Sequence, residues 1–296
     1  MASRRLYNWL IPILAAGTVV TACDGGGDGA ATGDLSMGVT DAPVDNATKV
    51  VVEFTGVEIH GPNDQTQTIS FDSTKTIDLL NFTGNAAEPL FEDETVLAGD
   101  YQWARLQVNA ERNTIDSYIE VTGGGQHSLY IPSGSETGLK MNTGFSVPED
   151  GNAAFTIDFD LRKSVHEDPS SNEYILRPTL RLLDNDEVGT IAGTVNNSEV
   201  PADCDPAVYV FEGGGVTPDD QDGKSPDPVN SAIPELNGDT GHYDYEIGWL
   251  AEGDYTVSYT CDAAADDPAT DDGTVTFDYS ENATVTATET TDVDFP

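Results

Sequence analysis

Residues 153–161 read Ala-Ala-Phe-Thr-Ile-Asp-Phe-Asp-Leu, and apolar and polar side chains alternate along them with a period of two. A segment with that period buries one face as a strand and cannot bury the same set as a helix. Phe155, Ile157, Phe159 and Leu161 share one face, and Thr156, Asp158 and Asp160 share the other. Thr48 to His60 is β-branched and aromatic without helical periodicity. Residues 100–108 alternate again, with Tyr101, Trp103 and Arg105 opposite Gln102, Ala104 and Leu106. Tyr174 to Leu183 is a further predicted strand, and Pro178 inside it marks an edge or a bulge because proline cannot donate to a ladder. Turn clusters separate the runs at Gly61-Pro62-Asn63-Asp64, Gly123-Gly124-Gly125, Pro148-Glu149-Asp150-Gly151 and Glu167-Asp168-Pro169. Many short strands so spaced predict an all-β sandwich architecture with almost no helix.

A polar break at Asp184-Asn185-Asp186-Glu187 precedes a second β unit. Its strands are expected at 189–195, 207–211, 243–247, 254–261, 273–279 and 283–293. A length of 296 residues suits two domains. The expected order is a leader over 1–22, a modified Cys23 with a tether over 23–33, a β domain over 34–186 and a second β-sandwich over 187–296.

The leader has its own chemistry. Arg4 and Arg5 precede the mostly apolar run Leu6 to Val20, which Asn8 and Pro12 interrupt. That is the charge and length pattern of a secretory signal, too short for a membrane span. Val20-Thr21-Ala22-Cys23 resembles the lipobox of bacterial lipoproteins. The resemblance implies a diacylglycerol on the Cys23 sulfur, cleavage before Cys23 and anchorage in a membrane of the bacterial cell envelope. Residues 24–34 are rich in Gly, Ala and Asp, a flexible tether of roughly 18 Å root-mean-square length.

Charge excludes whole classes of partner. The chain has 53 acids against 12 Lys and Arg, a formal charge of −41. A nucleic-acid backbone or an anionic bilayer would be repelled by such a body, so membrane contact is expected only through acylated Cys23. The 38% hydrophobic fraction is enough for real cores, which sets the chain apart from an acidic disordered tail. All 53 acids but only ten of the bases follow Cys23, an excess that keeps a protein hydrated in high salt and suits a halophilic or marine source.

Catalytic patterns are missing. None of His60, His127, His166 and His242 is spaced with another His or Cys for zinc. No Gly-x-Ser-x-Gly elbow occurs, since Gly134-Ser135-Glu136-Thr137-Gly138 has its serine one place early. The expectation is a non-enzymatic protein without catalytic residues or cofactor. Asp219-Asp220-Gln221-Asp222-Gly223, and Asp266-Asp267 with Asp271-Asp272-Gly273, offer hard oxygen ligands for structural calcium. An EF-hand reading fails at Pro218 and Val229, which favours solvated acidic loops.

The scarce bases are the more informative residues. Lys140, Arg162, Lys163, Arg177 and Arg181 are half of those after Cys23. Asp158, Asp160 and Arg162 share parity on one predicted strand, and Arg177 and Arg181 share parity on the next. If those strands are neighbours, carboxylates and guanidiniums can pair across them. Two readings follow: an ion-pair network closing the sandwich, or a basic site for an anionic ligand such as a carboxylate or acidic sugar. A carbohydrate site would further need an exposed aromatic platform, for which Trp103 and Trp249 are candidates. Cys204 and Cys261 remain once Cys23 is lipidated. Cys261 shares parity with Tyr255, Val257 and Tyr259, and a Cys204–Cys261 disulfide is expected outside the cytoplasm.

Family resemblances complete the reading. Leu97-Ala98-Gly99-Asp100-Tyr101 and Leu250-Ala251-Glu252-Gly253-Asp254-Tyr255 repeat one strand-entry pattern. With the opening Gly189 to Val195, this makes residues 188–296 resemble carboxypeptidase-regulatory-like, or prealbumin-like, sandwiches. Residues 34–186 resemble the bacterial lipoprotein domain of unknown function DUF4382. That likeness is carried by Thr40-Asp41-Ala42-Pro43, Val57-Glu58-Ile59-His60, Ile131-Pro132-Ser133-Gly134, Gly138-Leu139-Lys140, Asp158 to Ser164 and Leu176 to Arg181. It implies secretion, lipidation and β structure, and no established activity. Together the residues point to a lipid-anchored envelope protein with a binding or scaffolding role toward an envelope polysaccharide or protein partner.

Overall fold

The computed structural model describes residues 30–42, 47–132, 138–168, 170–171, 173–177, 179–266 and 273–296, apart from the side chains of Ala42, Arg162 and Lys163. The leader, Cys23, most of the tether, Pro43, Ser133 and the acidic residues Asp267, Asp271 and Asp272 lie outside the described residues. Two β-sandwiches follow one another, and Ala31–Pro296 packs as one unit.

In the first sandwich a four-stranded sheet runs in the order Leu180–Asp184, Asn152–Asp160, Thr32–Ala42, Glu88–Leu97. Thr32–Ala42 lies parallel to Asn152–Asp160 and antiparallel to Glu88–Leu97. The facing sheet is eight-stranded, in the order Val165–Glu167, Tyr174–Leu176, Gly125–Tyr130, Tyr118–Val121, Ala47–Gly61, Trp103–Asn109, Leu139–Met141, with Gln65–Asp78 on the other side of Ala47–Gly61. The two sheets share one core in which Phe54 meets Phe159 edge-on at 6.1 Å. Burying a side chain of that size stabilises by about 1.5–3 kcal/mol.

The period of two selects the core residues, with one shift of phase. Val50, Val52 and Phe54 point inward, and beyond them so do Val57 and Ile59. The parity changes because the register to both neighbouring strands slips between Phe54 and Gly56, a bulge that re-aims every later side chain.

Three sequence expectations for the first sandwich are corrected. Residues 100–108 are two strands: Gly99–Tyr101 pairs with Phe145–Val147 in a small sheet, and Trp103–Asn109 belongs to the large one. Tyr101 is therefore buried, stacked on Phe145 at 4.8 Å, and does not share a face with Trp103. Residues 174–183 are also two strands, Tyr174–Leu176 and Leu180–Asp184, in different sheets, so Arg177 and Arg181 share no strand face. Finally, the strand Asn152–Asp160 ends before Arg162 in a helical turn, Leu161–Ser164. Ser164 fixes that turn: its hydroxyl donates to Asp160 O at 2.5 Å and accepts from Thr179 N at 2.9 Å.

The second sandwich packs the sheet Glu235–Leu236, Tyr243–Ala251, Val188–Val195, Thr290–Asp292 on the sheet Asn230–Ala232, Ala207–Glu212, Gly253–Thr260, Phe277–Val285. The last strands differ from the expected 273–279 and 283–293, because Phe277–Val285 pairs as one strand along Gly253–Thr260, with a single register shift between Tyr259 and Thr260. Ile191, Val210, Ile247, Val257 and Phe295 fill its core. Gly193 is required there, since a Cβ would collide with Val293 O. Cys204 and Cys261 form a disulfide with their Cα atoms 4.7 Å apart.

The repeated strand-entry pattern has one physical basis. Tyr101 Oη donates to Leu97 O at 2.7 Å, and Tyr255 Oη donates to Ala251 O at 2.8 Å. Each buried phenol returns four residues to hold the turn it has just left, and burial pushes the Tyr101 hydroxyl up to about 12.

Candidate functional site

The outer face of the large sheet carries the polar side chains that the alternation leaves over. Glu58, Arg105 and Lys140 stand in register across three strands. Arg105 Nη1 reaches Glu58 Oε2 at 3.0 Å, and Gln107 Nε2 donates to Glu58 Oε1 at 3.1 Å. The ring of His60 stacks on Trp103 at 5.1 Å, with the planes 10° apart. The Arg105 guanidinium lies 5.1 Å from the Trp103 ring centre, and Lys140 Nζ lies 4.5 Å from it. A cation over an aromatic face is held by the ring quadrupole. Trp103 is thus half-buried beneath its own neighbours and offers no bare platform to a sugar.

Beside this face lies a cleft of 320 Å³. Its apolar walls are Ile131, Pro132, Leu139 and Leu176, and its cations are Lys140 and Arg177. Both cations are exposed. Five other described bases are spent on acids, Lys49 on Glu120, Arg105 on Glu58, Arg112 on Asp168 and Glu173, Arg181 on Asp158, and Lys224 on Asp222, while Lys75 donates to Pro89 O at 2.8 Å. Lys140 and Arg177 make no ion pair with a described residue.

The remaining members of the expected basic constellation are elsewhere. Arg181 stands opposite Asp158 across the ladder, and its Nε and Nη2 both bind Asp158 Oδ2, the former at 2.9 Å. Asp158 is 2% exposed and its Oδ1 has no hydrogen-bond partner. Burial raises the Asp158 carboxyl above its usual range, and Arg181 opposes that shift. Asp160 accepts from Gln221 Nε2 at 3.4 Å, a contact with the second sandwich. Arg162 and Lys163 lie in the helical turn, and their side chains fall outside the described residues. The set is therefore an ion pair, a cleft and a joint contact, because the chain leaves the strand at Asp160 and changes sheet after Leu176.

One network escaped the sequence reading. Arg112 Nη2 binds Asp168 Oδ2 at 2.7 Å and Arg112 Nε binds Glu173 Oε2 at 2.8 Å. Tyr130 Oη donates to the same Asp168 oxygen at 2.8 Å, beneath the guanidinium. The Ser170 hydroxyl and amide hold Asp168 well below the ordinary carboxylate range, and the hydrogen bond from Arg112 lowers Glu173. Lowered values stabilise the fold above the ordinary carboxylate range, and that contribution is lost as pH falls through the folded values. Arg112→Gln is expected to lower the urea midpoint at pH 7, with a gap to wild type that narrows by pH 3. A gap that stays constant between those pH values would show that charge is not what holds the loop.

The two sandwiches meet at a second cleft of 300 Å³, lined by Asn85, Thr190, Trp249 and Glu289 among others. Thr190 Oγ1 donates to Asn85 Oδ1 at 2.7 Å, and Asn85 N donates to Glu246 Oε1 at 3.0 Å. Trp249 holds φ at +58° and is half-buried, with its Nε1 buried and without a partner. Among the described residues, no three His, Cys, Asp or Glu side chains converge as a metal cage. No helix among them is long and apolar enough to cross a membrane.

No curated protein sequence matches the chain. Among solved structures it is similar to a leucine-rich repeat protein from Bacteroides thetaiotaomicron, at 15% identity and a TM-score of 0.22, over 90% of this chain and 26% of that one. The minor pilin GBS52 of Streptococcus agalactiae matches at 9% identity and a TM-score of 0.20, over 88% of this chain and 94% of the pilin. The fimbrial anchor protein Mfa2 of Porphyromonas gingivalis matches at 8% identity and a TM-score of 0.20, over 84% of this chain and 82% of the anchor. The chain spans about a quarter of the first protein's length. TM-scores of this size do not define a shared fold. A family model is the stronger match: it covers residues 32–178, starting on the first strand and stopping short of the expected boundary at 186. Residues 32–178, which hold the Lys140 and Arg177 cleft, are a domain of unknown function of the DUF4382 family.

Proposed function

We propose that the protein is a lipid-anchored, non-enzymatic binding protein of the bacterial envelope, tethered through Cys23, whose first sandwich takes a carboxylate-bearing ligand such as an acidic polysaccharide. One observation carries this reading: Lys140 and Arg177 face a common cleft without an ion-pair partner among the described residues, in a chain with 53 acids and 12 bases. Where acids are in such excess, two cations that pair with no described acid, beside an apolar floor, are the surface suited to a carboxylate. Arg presents a planar fork for it and Lys a point charge. The acidic body suits high salt, where long-range repulsion of an anionic polymer is screened and contact pairing persists. The second sandwich, prealbumin-like in its strand-entry motif, serves as an accessory module. A scaffolding role is the second reading, favoured by Trp103, whose ring is covered by His60, Arg105 and Lys140.

The test is calorimetric titration with a uronic-acid oligomer and a neutral oligomer of equal length. The uronate is expected to bind, and Lys140→Ala/Arg177→Ala to weaken it by about tenfold, since two exposed charge contacts of roughly 0.7 kcal/mol each sum to the roughly 1.4 kcal/mol of a tenfold change. Equal binding of both oligomers, or of wild type and variant, would overturn the proposal.

A further inference from the structure

The second sandwich contains a carboxylate that nothing described neutralises. Asp220 is 2% exposed, and both its oxygens are buried without a hydrogen-bond partner. The group that faces it is another carboxylate, Asp219, so that acceptor meets acceptor, with Asp222 adding charge of the same sign. Lys224 is the single Lys or Arg after residue 187, and its Nζ binds Asp222 Oδ2 at 3.1 Å. The neighbouring donors are committed as well. Gln221 N donates to Asp266 Oδ1 at 3.2 Å, and Gln221 Nε2 donates to Asp160 of the first sandwich at 3.4 Å. Tyr209 Oη donates to Asp266 Oδ2 at 2.7 Å.

A buried carboxylate without a partner is among the least favourable arrangements in a protein interior. Two species relieve it: a proton shared between Asp219 and Asp220, or a metal cation between them. The surroundings favour the cation. The field of a strongly acidic body concentrates divalent ions, and two carboxylates match the charge of one. Hard oxygen donors clustered in one short loop are the ligand type of calcium, which completes six to eight ligands with main-chain oxygens and water. Gly223, at φ +78°, lets the loop turn directly after the cluster.

We propose that Asp219 and Asp220 bind a calcium ion, which fixes the 219–223 loop where Gln221 bridges Asp160 and Asp266. The site is independent of the Lys140 and Arg177 cleft. Its role is to stiffen the contact between the two sandwiches in compartments where calcium is plentiful.

The experiment uses the whole exported chain, stripped with chelator and held in 0.5 M KCl to screen non-specific association. Equilibrium dialysis with labelled calcium and thermal unfolding with and without calcium are read together. Wild type is expected to hold one ion per chain and to melt higher with calcium. Asp220→Asn keeps the shape, removes the buried charge and is expected to lose both the ion and the calcium-dependent shift. Asp239→Asn, an exposed acid outside the cluster, is expected to retain both. The proposal is overturned if wild type binds no calcium and Asp220→Asn simply melts higher in chelator, which is the shared-proton outcome. It is equally overturned if Asp220→Asn and Asp239→Asn respond to calcium alike.

Discussion

Arg181→Met is expected to destabilise the first sandwich by about 3–5 kcal/mol, because it leaves a buried carboxylate without its counter-ion. Asp158 is 2% exposed, and its Oδ2 takes both guanidinium contacts that Arg181 offers. The paired arrangement itself is not expected to be worth that much. Asp158→Leu/Arg181→Met removes both charges, and a well-packed apolar pair is expected to recover most of the loss. Acid should moderate the single variant. Burial already raises the Asp158 carboxyl, and without Arg181 nothing opposes that shift, so stability returns as pH falls and the group protonates. Urea unfolding of wild type, single and double variants at pH 7 and pH 5 measures all three effects. A single variant within about 0.5 kcal/mol of wild type would place Arg181 among ordinary surface residues and refute the buried-pair account.

Removing the Cys204–Cys261 disulfide is the second large change expected. The bridged residues are 57 apart, and closing a loop of that size stabilises by about 4 kcal/mol in the chain-entropy estimate. Such a loss is a large part of an ordinary domain's stability of about 5–15 kcal/mol. The bridge joins the start of the strand Ala207–Glu212 to the end of Gly253–Thr260, and the acidic 219–223 loop lies between. Repulsion within that loop favours expansion in dilute buffer and is screened as the Debye length falls from about 10 Å at 0.1 M to about 3 Å at 1 M salt. Cys204→Ala/Cys261→Ala is therefore expected to lower the second sandwich's melting temperature, more at 0.1 M than at 1 M NaCl. Equal losses at both salts would mean that the bridge does not work against charge.

The strand over residues 153–160 was legible because alternation is local, and strand pairing was less so because pairing is not. Phe155, Ile157 and Phe159 announce their face, but Thr156 and Asp158 are buried as well. Thr156 bonds Asn185, and Asp158 bonds Arg181, from the adjoining strand and turn. Pro178 signalled a broken strand, and nothing local told that its halves join different sheets. Val57 and Ile59 were foreseeable as core residues, but the phase shift before Gly56 was not, since a bulge changes which side a residue faces without changing its type. Arg112 was missed because its partners lie about sixty residues downstream. The signal available was rarity: with 12 bases against 53 acids, each base is a place worth tracing to its partners.

The parallel pairing of Thr32–Ala42 with Asn152–Asp160 sets the order in which this protein can be completed. A chain synthesised from its amino end delivers residue 34 long before residue 152. The first strand must then wait, with only Glu88–Leu97 as an interim neighbour, until the far side of its sheet emerges. Contacts so distant in sequence close slowly. Until they close, Leu35, Met37 and Val39 are uncovered on one flank, and the density of like charge along the emerging chain keeps neighbouring copies apart during that interval.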